Sequence, residues 1–80
     1  MFINKSSDGT NNVCGQKIAM LRKARQLSQR ELADALQLLD LDLDKNAIQR
    51  IEAGKRFVTD IELVVFSRFF EIPVDMLLDI

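Results

Sequence analysis

The sequence predicts an all-α fold of five helices. Three segments start with a residue that commonly caps a helix, namely Ser28, Asp44 and Thr59, and apolar residues flank each of these starts. After each start, apolar residues recur three and four positions apart, which is the spacing of one helix face. No strand pattern competes with this periodicity, and 80 residues are enough for one domain.

The capping residues define where the helices begin. Ser28 and Thr59 are each followed three positions later by a glutamate, Glu31 and Glu62, which is the pattern of a capping box. Asp44 keeps the cap without the reciprocal glutamate. Each cap satisfies backbone N–H groups that the first turn of a helix leaves without partners.

The apolar periodicity gives the extents and inward faces of the helices. The expected helices cover residues 13–26, 29–39, 45–53 and 60–70, with a fifth starting near Pro73; the third ends at Gly54, a residue suited to a helix terminus. The side chains expected to face the core are Ile18, Leu21, Ala24, Leu32, Leu36, Leu39, Ile48, Ile51, Leu63, Phe66, Phe70, Val74 and Leu77.

The ends and the composition limit what the chain does. Residues 1–13 are rich in Asn, Ser, Asp, Gly and Thr, so we expect a flexible N-terminal arm followed by a domain over residues 14–80. The N-terminus lacks an apolar run of signal-peptide length, and charges interrupt the apolar region 61–78, so we expect a soluble protein without a membrane span.

The chemistry of the side chains argues against an enzyme. One cysteine, Cys14, excludes an internal disulfide and fits a reducing cytoplasm, and the absence of histidine removes the usual zinc spacings. No pair of catalytic carboxylates stands out, so we expect neither catalysis nor a cofactor. Asp40, Asp42 and Asp44 alternate as at the start of an EF-hand loop, but the glycine and glutamate that such a loop requires are missing, so no metal site is expected.

Charge is distributed unevenly along the chain. The net charge is −1, yet residues 17–56 hold nine basic and six acidic residues, whereas residues 57–80 hold one basic and five acidic residues. A mildly basic side and an acidic side are typical of a protein that presents one surface to nucleic acid.

The third helix has the polarity of a helix that reads DNA. Ile48 and Ile51 lie on one face, and the opposite face carries Lys45, Asn46, Gln49 and Arg50. Asn and Gln side chains can pair with adenine, and Arg or Lys with guanine, in the major groove. We expect Asn46 and Gln49 in particular to read bases. The alternative is an ordinary solvated helix face.

These elements occur in a familiar order. The motifs LSQREL-A, IQRIEAGKR and L-x-x-F…I-P-V-D-M-L-L resemble those of the Cro/lambda-repressor-type (XRE-like) helix-turn-helix regulators, over roughly residues 15–78. The resemblance implies a five-helix lambda-repressor-like domain that binds double-stranded DNA.

The resemblance also implies residue roles. Bases would be contacted by Lys45, Asn46, Ala47, Gln49 and Arg50. Phosphates would be contacted by Ser28, Gln29, Lys55 and Arg56. For Gln29 the sequence shows no structural reason for a glutamine, which favours the phosphate contact. Arg22 and Glu52 match a buried ion pair that ties the first helix to the recognition helix.

The chain departs from the family pattern twice. The turn between helices two and three is about five residues longer, through Asp40–Asp44, and lacks the usual glycine near Leu39; we expect Leu41 and Leu43 to hold it against the core. Glu71 replaces the glycine that often precedes the last helix.

The sequence thus predicts a sequence-specific transcriptional regulator, a repressor that acts as a homodimer on a palindromic operator. Candidate dimer residues are Met76, Leu78 and Ile80, which otherwise close the core. Two alternatives remain: an antitoxin-type DNA-binding partner of a toxin, and a protein-interaction module on the same fold that does not bind DNA.

Overall fold

The computed structural model describes residues 9–78, which contain five α-helices and no strand. The helices are α1 (Gly15–Ala24), α2 (Gln29–Gln37), α3 (Lys45–Glu52), α4 (Asp60–Phe70) and α5 (Val74–Leu78). The predicted fold class is confirmed. The helices begin within two residues of the predicted positions, and α4 has the predicted bounds.

The three predicted caps are present. The Ser28 hydroxyl oxygen accepts a hydrogen bond from the Glu31 N–H at 3.0 Å, and the Glu31 carboxylate accepts one from the Ser28 N–H at 2.8 Å. Thr59 and Glu62 form the same reciprocal pair at the start of α4. Asp44 caps α3 by accepting from the Ala47 N–H at 2.8 Å.

The core lies where the inward faces of the helices meet. α3 packs against α1 and α2, and α4 packs against α2 and α5. The side chains enclosed most completely are Cys14, Ile18, Leu32, Leu36, Ile48, Ile51, Phe66 and Leu77. Burial raises the pKa of the Cys14 thiol to about 11, so this cysteine stays protonated at neutral pH.

The prediction that Leu39 and Ala24 face the core is wrong. Leu39 is 45% exposed, because α2 ends at Gln37 and the residues that follow no longer continue its inward face. Ala24, in the last turn of α1, is exposed as well.

The lengthened turn is held against the core as predicted. Leu41 and Leu43 are buried, and the Leu41 N–H donates to the Leu36 carbonyl oxygen at 3.0 Å. Asp40 has a φ of +64°, the left-handed conformation that favours glycine. Aspartate tolerates this conformation better than most residues, so the turn closes without a glycine.

The segment before α1 has fixed partners where the sequence predicted flexibility. Residues 1–8 of the expected arm lie outside the described residues. Asn11 donates from its backbone N–H to the Gly54 carbonyl at 2.7 Å and from its side chain to the Lys55 carbonyl at 2.9 Å. Asn12 donates to the carbonyl oxygens of Ile51 and Arg56 at 3.0 and 2.8 Å. The sequence gives no signal for these contacts.

Candidate nucleic-acid interface

The outward face of α3 is free within the described part of the chain. Lys45, Asn46, Gln49 and Arg50 are exposed, while Ile48 and Ile51 on the opposite face are fully buried. Ala47 is half-buried and packs against the core, so it is less accessible than the other predicted base contacts.

The polar face of α3 continues into the loop that follows. Asn46, Gln49, Arg50, Ala53 and Lys55 line a shallow concavity of about 410 Å³. Gly54 takes a φ of +76° and turns the chain there, and the Lys55 N–H donates to the Arg50 carbonyl at 2.9 Å. The helix and the loop thus present amide and cationic groups on one continuous surface.

Glu52 connects α3 to the two preceding helices. Arg22 donates to its carboxylate from Nε at 2.7 Å and from Nη2 at 3.0 Å, as the predicted ion pair requires. The hydrogen bond to Glu52 raises the pKa of Arg22 further above its ordinary value, so the guanidinium stays charged. Arg22 also donates to the Leu27 carbonyl at 2.7 Å. This network fixes α3 relative to α1 and to the start of α2.

Gln29 belongs to the same network, contrary to the expectation that it has no structural need to be glutamine. Its Nε2 donates to Glu52 Oε1 at 3.0 Å, and its side chain is only partly exposed. The neighbouring Ser28 is exposed. Its hydroxyl oxygen accepts the cap bond, which leaves the O–H free to donate to a phosphate oxygen.

Arg56 has an internal partner that the sequence did not predict. Its Nη1 and Nη2 each donate to the Glu62 carboxylate at 3.0 Å, and Nη1 also donates to the Phe57 carbonyl. Arg56 therefore links the loop after α3 to the start of α4. Lys55 is exposed and extends from the loop toward the α3 concavity.

Burial raises the pKa of Glu62, but hydrogen bonds from Arg56 and from the Thr59 N–H, together with the Arg56 charge, outweigh burial and leave that pKa below its ordinary value. The pKa of Arg56 shifts upward instead, because the hydrogen bond to Glu62 stabilises the charged guanidinium. Both groups are charged at neutral pH.

Asn12 positions the end of α3 from the other side. Its amide nitrogen reaches the Ile51 and Arg56 carbonyls, while its oxygen accepts from the Gly15 N–H at 2.8 Å. α1 begins so close to α3 that a Cβ at Gly15 would collide with the Ile51 carbonyl oxygen. A polar residue in a polar segment gives no sequence signal for such long-range partners.

Within the described residues, α1 and α2 pack against α3 and leave its polar face turned to solvent. A family model described as helix-turn-helix, of the Cro/C1 type, matches residues 18–77. The chain belongs to this helix-turn-helix family. No match was found among curated proteins or among solved structures.

Family membership gives the general function. Cro/C1-type helix-turn-helix domains are DNA-binding units of transcriptional regulators and are not typically enzymes. No helix in residues 9–78 is long and apolar enough to cross a membrane. The same residues contain no cluster of three or more cysteine and carboxylate side chains suited to hold a metal ion.

Proposed function

We propose that this helix-turn-helix protein is a cytoplasmic repressor that binds a palindromic operator as a homodimer, with α3 in the major groove. The observation that carries the proposal is the free polar face of α3, which stands braced by Arg22 and Glu52 rather than packed against the domain. A helix that enters the groove needs this combination of an accessible outer face and a fixed orientation.

The exposed side chains suggest how bases are read. Asn46 and Gln49 carry amides that match the donor and acceptor pair of adenine, and Arg50 or Lys45 matches guanine. Ala47 is half-buried, so its methyl group suits an apolar contact with a thymine methyl rather than a polar contact.

A second set of residues is proposed to contact phosphates. Ser28, at the start of α2, and Lys55, in the loop after α3, are exposed, whereas Gln29 and Arg56 already have internal partners. We therefore assign the phosphate contacts first to Ser28 and Lys55. Gln29 and Arg56 contribute mainly by fixing the surface, and reach a phosphate only with the donors that remain free.

Selection of bound duplexes from a random pool tests the proposal. The expected result is a palindromic consensus whose half-sites are about one helical turn apart. Failure to enrich any duplex, with a correctly folded protein, would contradict DNA recognition. Enrichment of a consensus without two-fold symmetry would contradict the dimeric operator alone.

Two matched variants separate base contacts from phosphate contacts. Gln49→Ala should lose about 1–3 kcal/mol of discrimination at one base position and relax the consensus there. Lys55→Ala should weaken binding to all duplexes alike and make the slope of log affinity against log salt shallower by about 0.9. Asp34→Ala, an exposed change on α2, is the control and should leave both measurements unchanged.

The protein-interaction module stays a second candidate because of one observation. Asp40, Asp42 and Asp44 are all exposed in the turn that leads into α3, beside the proposed DNA surface. Carboxylates there repel phosphate. Binding to duplexes that is absent or insensitive to salt would favour this candidate, and a toxin-like neighbouring reading frame would favour the antitoxin function.

A further inference from the structure

The outward face of α4 carries two apolar residues in its first half that nothing in residues 9–78 covers. Ile61 is 71% exposed and Val64 is 43% exposed, whereas Phe66 and Phe70 on the inward face are buried. Ile61 and Val64 are three positions apart, so they are neighbours on one side of the helix. An isolated exposed apolar residue is ordinary, but two adjacent ones on a regular helix form a small patch.

Opposite charges lie at the two ends of this patch. Asp60 precedes Val64 by four positions and Arg68 follows it by four, and both are exposed on the outward face. Within residues 9–78 neither side chain forms an ion pair. Four residues correspond to about 6 Å along a helix, so the two charges are placed symmetrically about Val64.

We propose that this α4 face, defined by Asp60, Ile61, Val64 and Arg68, packs against the same face of a second copy of the chain. An antiparallel arrangement around a two-fold axis at Val64 places each Asp60 opposite the Arg68 of the other copy. The face is thus complementary to itself in charge, which is the requirement of an interface between identical chains. A negatively or positively charged partner would match only one end.

The C-terminal residues that the sequence suggested for a dimer interface differ in exposure. Of the three that the sequence suggested, Met76 is 52% exposed, Leu78 is half-buried against the core, and Ile80 lies outside the described residues. Leu78 therefore helps to close the core, the other role considered for it. No residue of α4 lines the concavity formed by α3 and the loop after it, so dimer formation through α4 leaves Asn46 and Gln49 accessible.

The inference rests on the homodimer of the proposed function, but its test needs no DNA. The face belongs to a single helix of 11 residues, so the contact is small. We expect a dimer with a dissociation constant on the order of micromolar. Sedimentation velocity of the full chain, from about 1 to 200 μM at low salt, should show a concentration-dependent shift from monomer to dimer.

A central substitution tests the apolar part. Val64→Lys places two ammonium groups at the proposed axis and should weaken the dimer by about tenfold or more. Leu38→Lys is the matched control, because Leu38 is 86% exposed and belongs to the turn after α2 rather than to α4. Wild-type protein that stays monomeric over the whole range, or Val64→Lys protein that dimerises like the wild type, would overturn the proposal.

Charge exchange tests the antiparallel pairing. Asp60→Arg and Arg68→Asp should each weaken the dimer, because like charges then face each other at both ends. An equimolar mixture of the two variants should form a heterodimer, since the first variant presents two arginines and the second two aspartates. Each variant also places an unfavourable charge at a helix end, so circular dichroism must show that both fold.

Dimer formation in the mixture of Asp60→Arg and Arg68→Asp cannot come from improved folding of either chain, because each chain keeps its own substitution. A mixture that dimerises no better than the separate variants would overturn the pairing. The result of this dimer test can be distinguished from that of the selection of bound duplexes. A dimer that depends on Val64 in a protein that enriches no duplex would leave this interface standing and would contradict only the proposed regulator.

Discussion

Arg22 and Glu52 are thirty residues apart in the chain, yet the Arg22 Nε lies 2.7 Å from the Glu52 carboxylate. Their side chains are only 10% and 8% exposed. Gln29 donates to the same carboxylate, so the Glu52 side chain at the end of α3 accepts hydrogen bonds from both α1 and α2. The orientation of the exposed α3 face therefore depends on a nearly buried charge.

Replacement of Glu52 by alanine should destabilise the domain strongly. The change leaves the Arg22 guanidinium nearly buried without its counter-charge and removes the acceptor of Gln29. The expected loss in the free energy of unfolding is on the order of 3 kcal/mol. Thermal and urea unfolding, followed by circular dichroism, measure it.

The matched control is Asp34→Ala, which removes an exposed carboxylate from α2. It should change the free energy of unfolding by less than about 0.5 kcal/mol. DNA affinity of the Glu52→Ala variant, measured where the protein is still folded, should fall as well, because α3 loses the contacts that fix its orientation. Unchanged stability of that variant would show that the ion pair contributes nothing to the fold.

Asn12 offers a second test, on a segment outside the five helices. Asn12→Ala removes three hydrogen bonds. The Arg56 carbonyl oxygen loses its Asn12 donor, and the Ile51 carbonyl oxygen keeps only the Gly54 N–H. We expect the free energy of unfolding to fall by about 2 kcal/mol.

The same chemical change at Asn46 is the control, since that side chain is exposed on α3. Asn46→Ala should leave stability nearly unchanged and alter duplex selection instead. Equal stability of the Asn12→Ala variant and the wild type would mean that water replaces the amide without loss.

Local signals explain what the sequence predicted well. The partners in the capping boxes are only three residues apart, as in Ser28 with Glu31 and Thr59 with Glu62, so residue type and spacing suffice to find them. The outward face of α3 follows from helical periodicity in the same way, because Ile48 and Ile51 must turn inward.

Contacts that only the tertiary fold creates explain what the sequence did not predict. Arg56 and Asn12 look like ordinary polar surface residues until the fold brings Glu62 and the end of α3 beside them. Gln29 likewise has a partner that only the packing of α2 on α3 supplies. Leu39 fits the apolar period of α2, but the helix ends before it, and periodicity alone does not locate that end.

Glu71 gives a prediction in the stabilising direction. It ends α4 with a φ of +58° and a ψ of +42°, a left-handed conformation in which its Cβ is crowded. Glu71→Gly removes this penalty, and we expect the free energy of unfolding to rise by about 1 kcal/mol.

Glu71→Ala separates backbone conformation from charge, because it removes the carboxylate and keeps the Cβ. It should not reproduce the gain. A glycine variant no more stable than the alanine variant, in urea unfolding at equal concentration, would contradict the role assigned to the backbone.

The Arg56–Glu62 pair makes stability depend on acidity. The pKa of Glu62 in the folded protein lies below the ordinary 4.5, so folding favours the ionised carboxylate. The resulting stabilisation is complete above about pH 4.5 and is lost as the pH falls through the folded-state pKa. Glu62→Gln should therefore be less stable than the wild type at pH 7, and the difference should narrow toward pH 3.

Urea unfolding of both proteins across this pH range measures the difference in the free energy of unfolding. Arg56→Gln should make stability depend less on pH, because the cation that favours ionisation of Glu62 is gone. A wild-type advantage over Glu62→Gln that is constant from pH 7 to pH 3 would show that the pair acts through packing rather than through charge.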